Sequence, residues 1–548
     1  MDFQRLLLFA GLSFTLLMIW EAWQNDYVRP QQQAQEIAQN SAANRSQDLP
    51  GLPKVDAPAT VADAPAAIVQ QVKSSQRISV VTDGYNLEID TLGGDLRRVD
   101  LVNYPISKDE PNSPFRLMDD EGVAFFAQSG LLTVDGDSKD SPTHHDIYTA
   151  AQSSYSLKEG EDRLDVELTW KGDNGLEVTK VYRFHRGSYL IDVDYKINNG
   201  GESKWQGHLY HQLQRQQPTD ENNMFMYTYT GGVLYTDAEK YEKITFDDMA
   251  KGNISRTNTG GWVAMIQHYF LGAWIPPQQE NINYYTKKGS NERFIIGGVG
   301  DKQTINSGES VILKGQLFVG PKLQSALEET APGLELTVDY GFLTIIAKPL
   351  YWMLDFIHSF VGNWGWAIIF LTVLIKAVFY KLSETSYKSM AHMRKVQPKL
   401  VTMKERYKDD KQGMNQAMMK LYKEEKINPL GGCLPILVQM PVFIALYWML
   451  MESVEMRQAP FMLWIQDLSI ADPYFVLPLI MGATMMIQQK LNPTPMDPTQ
   501  AKVMMVLPIV FTVFFAFFPA GLVLYWVVNN ALSILQQWYI TRIVIAEK

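Results

Sequence analysis

A single cysteine, Cys433, in 548 residues excludes any intrachain disulfide. It sits between Gly432 and Leu434 at the edge of an apolar run, where it reads as a small buried apolar residue. The chain also lacks a G-x-x-x-x-G-K-S/T loop, so no nucleotide site is marked and hydrolysis is not an energy source within it. A nucleic-acid footprint is missing too: the net charge is −10, and the basic excess is confined to one loop of the second part. Histidine is scarce, with 8 residues. His144, His145, His208 and His211 are the candidates for chemistry. His208 and His211, three apart on a strand pattern, point to opposite faces and make a poor metal or acid/base pair. No enzyme activity, metal or cofactor is expected.

What is present divides into unlike parts. Residues 1–345 carry 30 Lys+Arg against 46 Asp+Glu, and residues 346–548 carry 19 against 13. An acidic first part and a basic, strongly apolar second part indicate different surroundings. Leu6 to Trp20 is apolar, preceded by Arg5 and followed by Glu21, with no small-x-small cleavage site after it. That pattern predicts an uncleaved signal anchor with Trp20 and Trp23 at the interface. Arg29 to Gln76 is rich in Gln, Ala, Pro, Ser and Asp and reads as a flexible tether.

From Arg77 to about Val319 the period changes to two. Arg163 to Trp170 alternates, Gly172-Asp-Asn-Gly175 turns, and Ile191 to Ile197 alternates again, which predicts an antiparallel β-sandwich. Phe342, Ile345, Ile346, Leu350, Met353, Phe356, Ile357 and Phe360 then recur at helical spacing, as in an amphipathic helix lying in a membrane interface.

Trp366 to Tyr380 reads as a membrane span with one charge inside it, Lys376, on a face with Thr372 and Tyr380. A cation near the centre of a span costs roughly 2.5–3.5 kcal/mol, so it is aimed at a partner, a wet cavity or, by snorkelling, a headgroup. Lys381 to Lys426 holds 12 Lys+Arg and 6 Asp+Glu. Met393, Val396, Leu400, Met403 and Tyr407 form a heptad seam that resumes at Met414, Met418 and Leu421, predicting a short helical hairpin. Further spans follow over 434–451, 474–487, 503–518 and 522–540. Basic residues on alternate loops place both termini inside and the β-domain outside. Gln439, Thr484, Thr512, Asn529, Asn530 and Ser533 give these spans a polar interior.

The expected fold is thus a polytopic α-helical membrane protein with six transmembrane helices and a large outer antiparallel β-sandwich. Its order is signal anchor 1–24, tether 25–76, sandwich 77–332, interfacial helix 333–362, second span 363–381, hairpin 382–428, and four spans with short loops and a tail over 429–548.

Asn428-Pro-Leu-Gly-Gly-Cys433, Gln439-Met-Pro-Val-Phe443, Arg457-Gln-Ala-Pro460, Phe518-Pro-Ala-Gly-Leu-Val-Leu-Tyr525 and His358-Ser-Phe-Val-Gly-Asn-Trp364 resemble the YidC family of bacterial membrane protein insertases, within the wider YidC/Oxa/Alb group. The likeness is closest over 335–540 and architectural over 77–320, where anchor, tether and outer domain look like the Gram-negative form. It implies an inner-membrane protein with a periplasmic sandwich that inserts and helps fold nascent membrane proteins, alone or with the Sec translocon. Five spans would form a hydrophilic groove open to the cytoplasm and to lipid. Lys376 takes the place of the groove cation, where the family usually has Arg; it keeps the charge without the planar fork. Thr372 matches a groove residue, and Gln439, Met440, Phe443, Phe514, Tyr525 and Trp526 match positions lining the client's path. Trp526 stands where Tyr is frequent. The tail after Thr541 is short and barely basic, which leaves the basic hairpin as the ribosome-docking candidate. Membrane lipids are the remaining implied partner. A transporter or channel with a polar intramembrane site is the alternative; it predicts paired intramembrane charges or inverted repeats, and neither is found.

Overall fold

A computed structural model describes residues 74–134, 140–218, 228–289, 292–407, 410–424, 434–492 and 498–546. The signal anchor, nearly all of the tether, the Asn428–Cys433 motif, and Pro493 and Pro495 lie outside the described residues. The chain divides into two compact units, one ending at Gly320 and the other running from Pro321 onward.

The first unit is built from two sheets of 11 and 10 strands. Alternation places Val166 and Leu168 of the strand Arg163–Lys171 inward, and the turn at Gly172–Gly175 returns the chain as Leu176–His185 in antiparallel register. Gly175 has φ +83°, where a Cβ would strike the backbone of Gly201, so the turn needs glycine. Arg77–Val81 pairs antiparallel with Tyr85–Asp90 on one side and parallel with Ser154–Ser156 on the other. The sheets pack face to face through buried aromatic side chains whose polar tips reach across: Trp274 Nε1 donates to Gln212 O at 3.0 Å and Tyr182 Oη to Gly94 O at 2.6 Å. A small helix, α1 (Phe246–Lys251), begins on a Thr245/Asp248 capping box. His208 and His211 do go to opposite faces: His208 Nδ1 meets Gly300 O at 2.9 Å, whereas His211 is buried against Trp274.

The second unit contains α2 (Gln324–Thr330), α3 (Thr344–Val361), α4 (Trp364–Val378), α5 (Tyr380–Arg406), α6 (Lys411–Glu424), α7 (Leu434–Glu452), α8 (Val476–Leu491), α9 (Pro498–Phe515) and α10 (Ala520–Ala546). The apolar stripe read along α3 splits in two. Leu350, with Ala347, Tyr351 and Leu354, is buried against the unit, while Phe342, Ile345, Trp352, Phe356 and Phe360 are exposed on the other side. Helical spacing finds apolar positions but cannot tell two apolar faces from one broad face.

The hairpin seam closes as its spacing predicts: Val396, Leu400 and Leu421 form a buried cluster with Met393, Met403 and Met418 against it. Among the described residues no single helix is long and apolar enough to cross a membrane alone. The helices from Trp364 to Val378 and from Tyr380 to Met403 pass together but bend by 68° between them, and Val438–Glu452 and Ala501–Phe515 are shorter apolar helices.

The loop before α8 is organised by one carboxylate. Asp472, fully buried, accepts from Trp464 Nε1 at 2.9 Å and from the backbone N–H groups of Tyr474 and Leu477 at 3.0 and 2.7 Å. It satisfies orphan donors at the start of α8 and complements the helix dipole. Asp472→Ala leaves three donors short of a partner, and the expected loss is about 2–3 kcal/mol. A thermal midpoint in detergent unchanged from wild type would show that the cap carries no stability.

Candidate functional site

The start of α4 is pinned by Asn363. Its side chain accepts from Trp366 N at 3.1 Å and donates to the carbonyls of Pro460 and Phe461 at 3.0 and 3.1 Å. Gly365 allows the Phe461 ring to lie against the helix where a Cβ would stand. From there α4 buries Ala367, Ile368, Leu371, Thr372 and Ile375 and exposes Trp366, Phe370, Val373, Leu374 and Val378.

Lys376 lies in the last turn of α4, because the helix ends at Val378 and the chain bends at Phe379. This corrects the reading of Trp366–Tyr380 as one continuous helix with a shared Thr372/Lys376/Tyr380 face. The break carries no Pro or Gly that would mark it. A cation in a last turn is favoured by the free carbonyl end of the helix, which lowers the cost of placing it there. Thr372 donates to Ile368 O at 2.7 Å and is buried, so its hydroxyl serves its own helix.

Lys376 reaches α10. Its Nζ donates to Ser533 Oγ at 2.8 Å, and Ser533 Oγ in turn donates to Asn529 O at 2.7 Å. Asn529 Oδ1 accepts from Gln439 Nε2 of α7 at 3.0 Å. Residues 529 and 533, four apart, share one face of α10 and link the cation of α4 to the amide of α7. A neighbouring strip continues the polar seam. Asn530 Nδ2 donates to Thr484 Oγ1 of α8 at 3.4 Å, and Gln537 Nε2 donates to Asn492 Oδ1 at 3.0 Å. Among the described residues Lys376 forms no ion pair. Its neighbour is a neutral hydroxyl, so its charge is not cancelled within the seam.

The other half of the candidate set is aromatic. Phe443 of α7 lies 4.7 Å from the Trp526 ring and nearly parallel to Tyr525 at 6.1 Å, and Trp526 is edge-on to Phe515 at 5.7 Å. Phe514 joins through Phe518 at 4.7 Å. Tyr525 is buried, whereas Met440 and Phe514 are 49% and 40% exposed. Trp526 Nε1 is buried with no hydrogen-bond partner among the described residues. The structure therefore brings Lys376 and Gln439 into one seam and Phe443, Phe514, Tyr525 and Trp526 into one aromatic cluster, with Met440 exposed on α7 and Thr372 turned to its own helix. Ser533 and Asn529, the residues that join Lys376 to Gln439, were visible in the sequence only as polar positions in an apolar run.

The chain is a two-part protein, a two-sheet β unit followed by apolar helices that carry a cationic polar seam. Residues 77–353 match the YidC periplasmic domain and residues 356–547 match the 60Kd inner membrane protein family, and the chain belongs to the YidC family. The Membrane protein insertase YidC of Methylococcus capsulatus is 55% identical over 545 residues, covering 99% of this chain and 98% of its own. That of Thioalkalivibrio sulfidiphilus is 53% identical over 556 residues, covering 99% and 98%. A solved structure of an active YidC insertase with its first transmembrane domain resolved is 18% identical, with a TM-score of 0.38, and covers 85% of this chain and 93% of its own. Membership of the family makes this an inner-membrane protein.

Proposed function

We propose that this chain inserts nascent membrane proteins through a polar groove whose cation is Lys376. The observation that carries the reading is the uncancelled Lys376 charge, held by Ser533 at one end of the seam that runs through Asn529 to Gln439. A polar or acidic client segment gains a charged, hydrogen-bonding surface there and escapes part of the cost of entering hydrocarbon. The client's apolar segment then leaves along Met440, Phe443, Phe514, Tyr525 and Trp526 into lipid, driven by burial of apolar surface.

In this reading the apolar helices are spans. At 16 residues α8 rises only about 24 Å, against roughly 30 Å of hydrocarbon, so the bilayer thins beside the groove. The exposed face of α3 lies in the outer interface, where Phe342, Ile345, Phe356 and Phe360 meet lipid. Both termini are cytoplasmic and the sandwich is periplasmic. The basic hairpin α5–α6 meets the ribosome, and the chain works alone or beside the Sec translocon.

Depleting the protein and following small membrane proteins with short outer segments tests the function. Their insertion should fall by about tenfold while proteins without such segments are spared. Unchanged insertion would sink the proposal.

A further inference from the structure

The outer end of α7 carries a polar cluster that the groove reading does not use. Glu452 and Ser453 are 3% and 1% exposed. Just beyond them Glu455 Oε1 accepts from Tyr351 Oη of α3 at 2.7 Å, and Oε2 is buried with no partner among the described residues. Gln324 Nε2 donates to Tyr340 Oη at 2.6 Å. A second tie lies on α3, where Lys348 pairs with Glu328 at 2.9 Å and Glu335 at 3.3 Å. Tyr351 of α3 thus reaches a carboxylate 104 residues further along the chain.

The placement matters because α3 packs against both α4 and α7. Those helices carry Lys376 and Gln439. The face of α3 turned away from them is exposed, so α3 has packing partners on one side only.

We propose that Glu455 is a positioning residue for insertion: through Tyr351 it pins α3 to the outer end of α7 and so fixes the spacing of the helices that carry the groove's polar groups. The proposal rests on the groove reading. Burial pushes the Glu455 carboxyl above the usual carboxylate range, with Asp355 of α3 adding to the rise and Tyr351 opposing it. The other titratable groups around the cluster are Tyr340, Glu452 and, farther along α3, Lys348.

The sign follows from linkage. A raised carboxyl binds its proton more tightly when packed than when solvated, so the pin is tightest at low pH and loosens as pH rises through the shifted value. A neutral isostere should lock it.

The test uses the full-length protein in proteoliposomes, with spin labels at the exposed positions Ile345 and Leu463 and Cys433 exchanged for serine. Wild type should show a narrow distance distribution at low pH that broadens as pH is raised through the shifted carboxyl value, with insertion falling in parallel. Glu455→Gln should stay narrow and give a flat insertion profile. Tyr351→Phe and Glu455→Ala should be broad throughout, with insertion down about threefold or more. A wild-type pH response persisting in Glu455→Gln, or a Glu455→Gln protein indistinguishable from Glu455→Ala, overturns the proposal. Lys376→Ala in the same assay separates the two readings. If it inserts like wild type, the groove reading fails. If it is impaired while label distances ignore both pH and the Glu455 substitutions, only the pin fails.

Discussion

Lys376→Ala is expected to slow insertion of a client with an acidic outer segment by about tenfold or more, Lys376→Glu to abolish it, and Lys376→Arg to keep most of it. Two unit charges about 4 Å apart attract by about 4 kcal/mol at an effective dielectric of 20, and every 1.4 kcal/mol is about tenfold. Even a third of that attraction, realised as the client enters, gives the loss. Glutamate reverses the sign and repels the same segment. Arginine restores the charge together with the fork that lysine lacks. The geometry supports a charge effect over a packing effect, because Nζ meets one hydroxyl, Ser533 Oγ, and forms no ion pair among the described residues. Ser533→Ala keeps the cation but frees it from α10, so it should cost less than Lys376→Ala. Reconstituted insertion of matched clients with and without acidic residues reads both effects. Equal rates for the alanine, glutamate and arginine proteins would remove the charge from the mechanism, and equal losses for both clients would make it a packing residue.

How much of this was legible in the sequence depends on how local each signal is. The strand Arg163–Lys171 and its turn at Gly172–Gly175 were readable because alternation and a glycine turn occupy neighbouring residues. The hairpin seam was readable for the same reason, since Val396, Leu400 and Leu421 keep one helical face. Lys376 stood out as a charge in an apolar run, but its place in a last turn did not. The bend at Phe379 has no breaker residue to announce it. Family resemblance supplied Gln439 and Phe443, while the Ser533–Asn529 link between Lys376 and Gln439 depends on how three helices dock. The Tyr351–Glu455 hydrogen bond joins residues 104 apart. No periodicity or spacing marks such a pair, and each residue alone reads as an ordinary aromatic in a helix and an ordinary carboxylate in an acidic loop.

The β-sandwich should lose stability in acid through one residue, His211. Its ring is 6% exposed and lies 4.5 Å from that of Trp274, and its Nε2 has no partner among the described residues. Burial, with the Lys180 ammonium adding to it, pushes the imidazole down to about 3. In the unfolded chain a histidine titrates near about 6.5. Between those values the unfolded state binds more protons than the folded one, so stability is full above about pH 6.5 and drains as pH falls. By about pH 4.5 the loss is about 2–3 kcal/mol, a large share of a domain's usual margin. Lys180 does not blur this window. Burial lowers its amine to about 8, so its own contribution changes only from there up to the solvated value of about 10.5, where stability rises with pH. His211→Leu, close in volume, should flatten the acid limb and leave the alkaline one. Replacing Lys180 by Met should do the reverse. Urea unfolding of the full chain in detergent, read by amide labelling in the strand Phe270–Ile275, measures both limbs. Parallel acid limbs for wild type and His211→Leu would place the acid sensitivity elsewhere. A flat limb in the variant alone would establish that the sandwich holds a neutral histidine against Trp274 at a cost in acid tolerance.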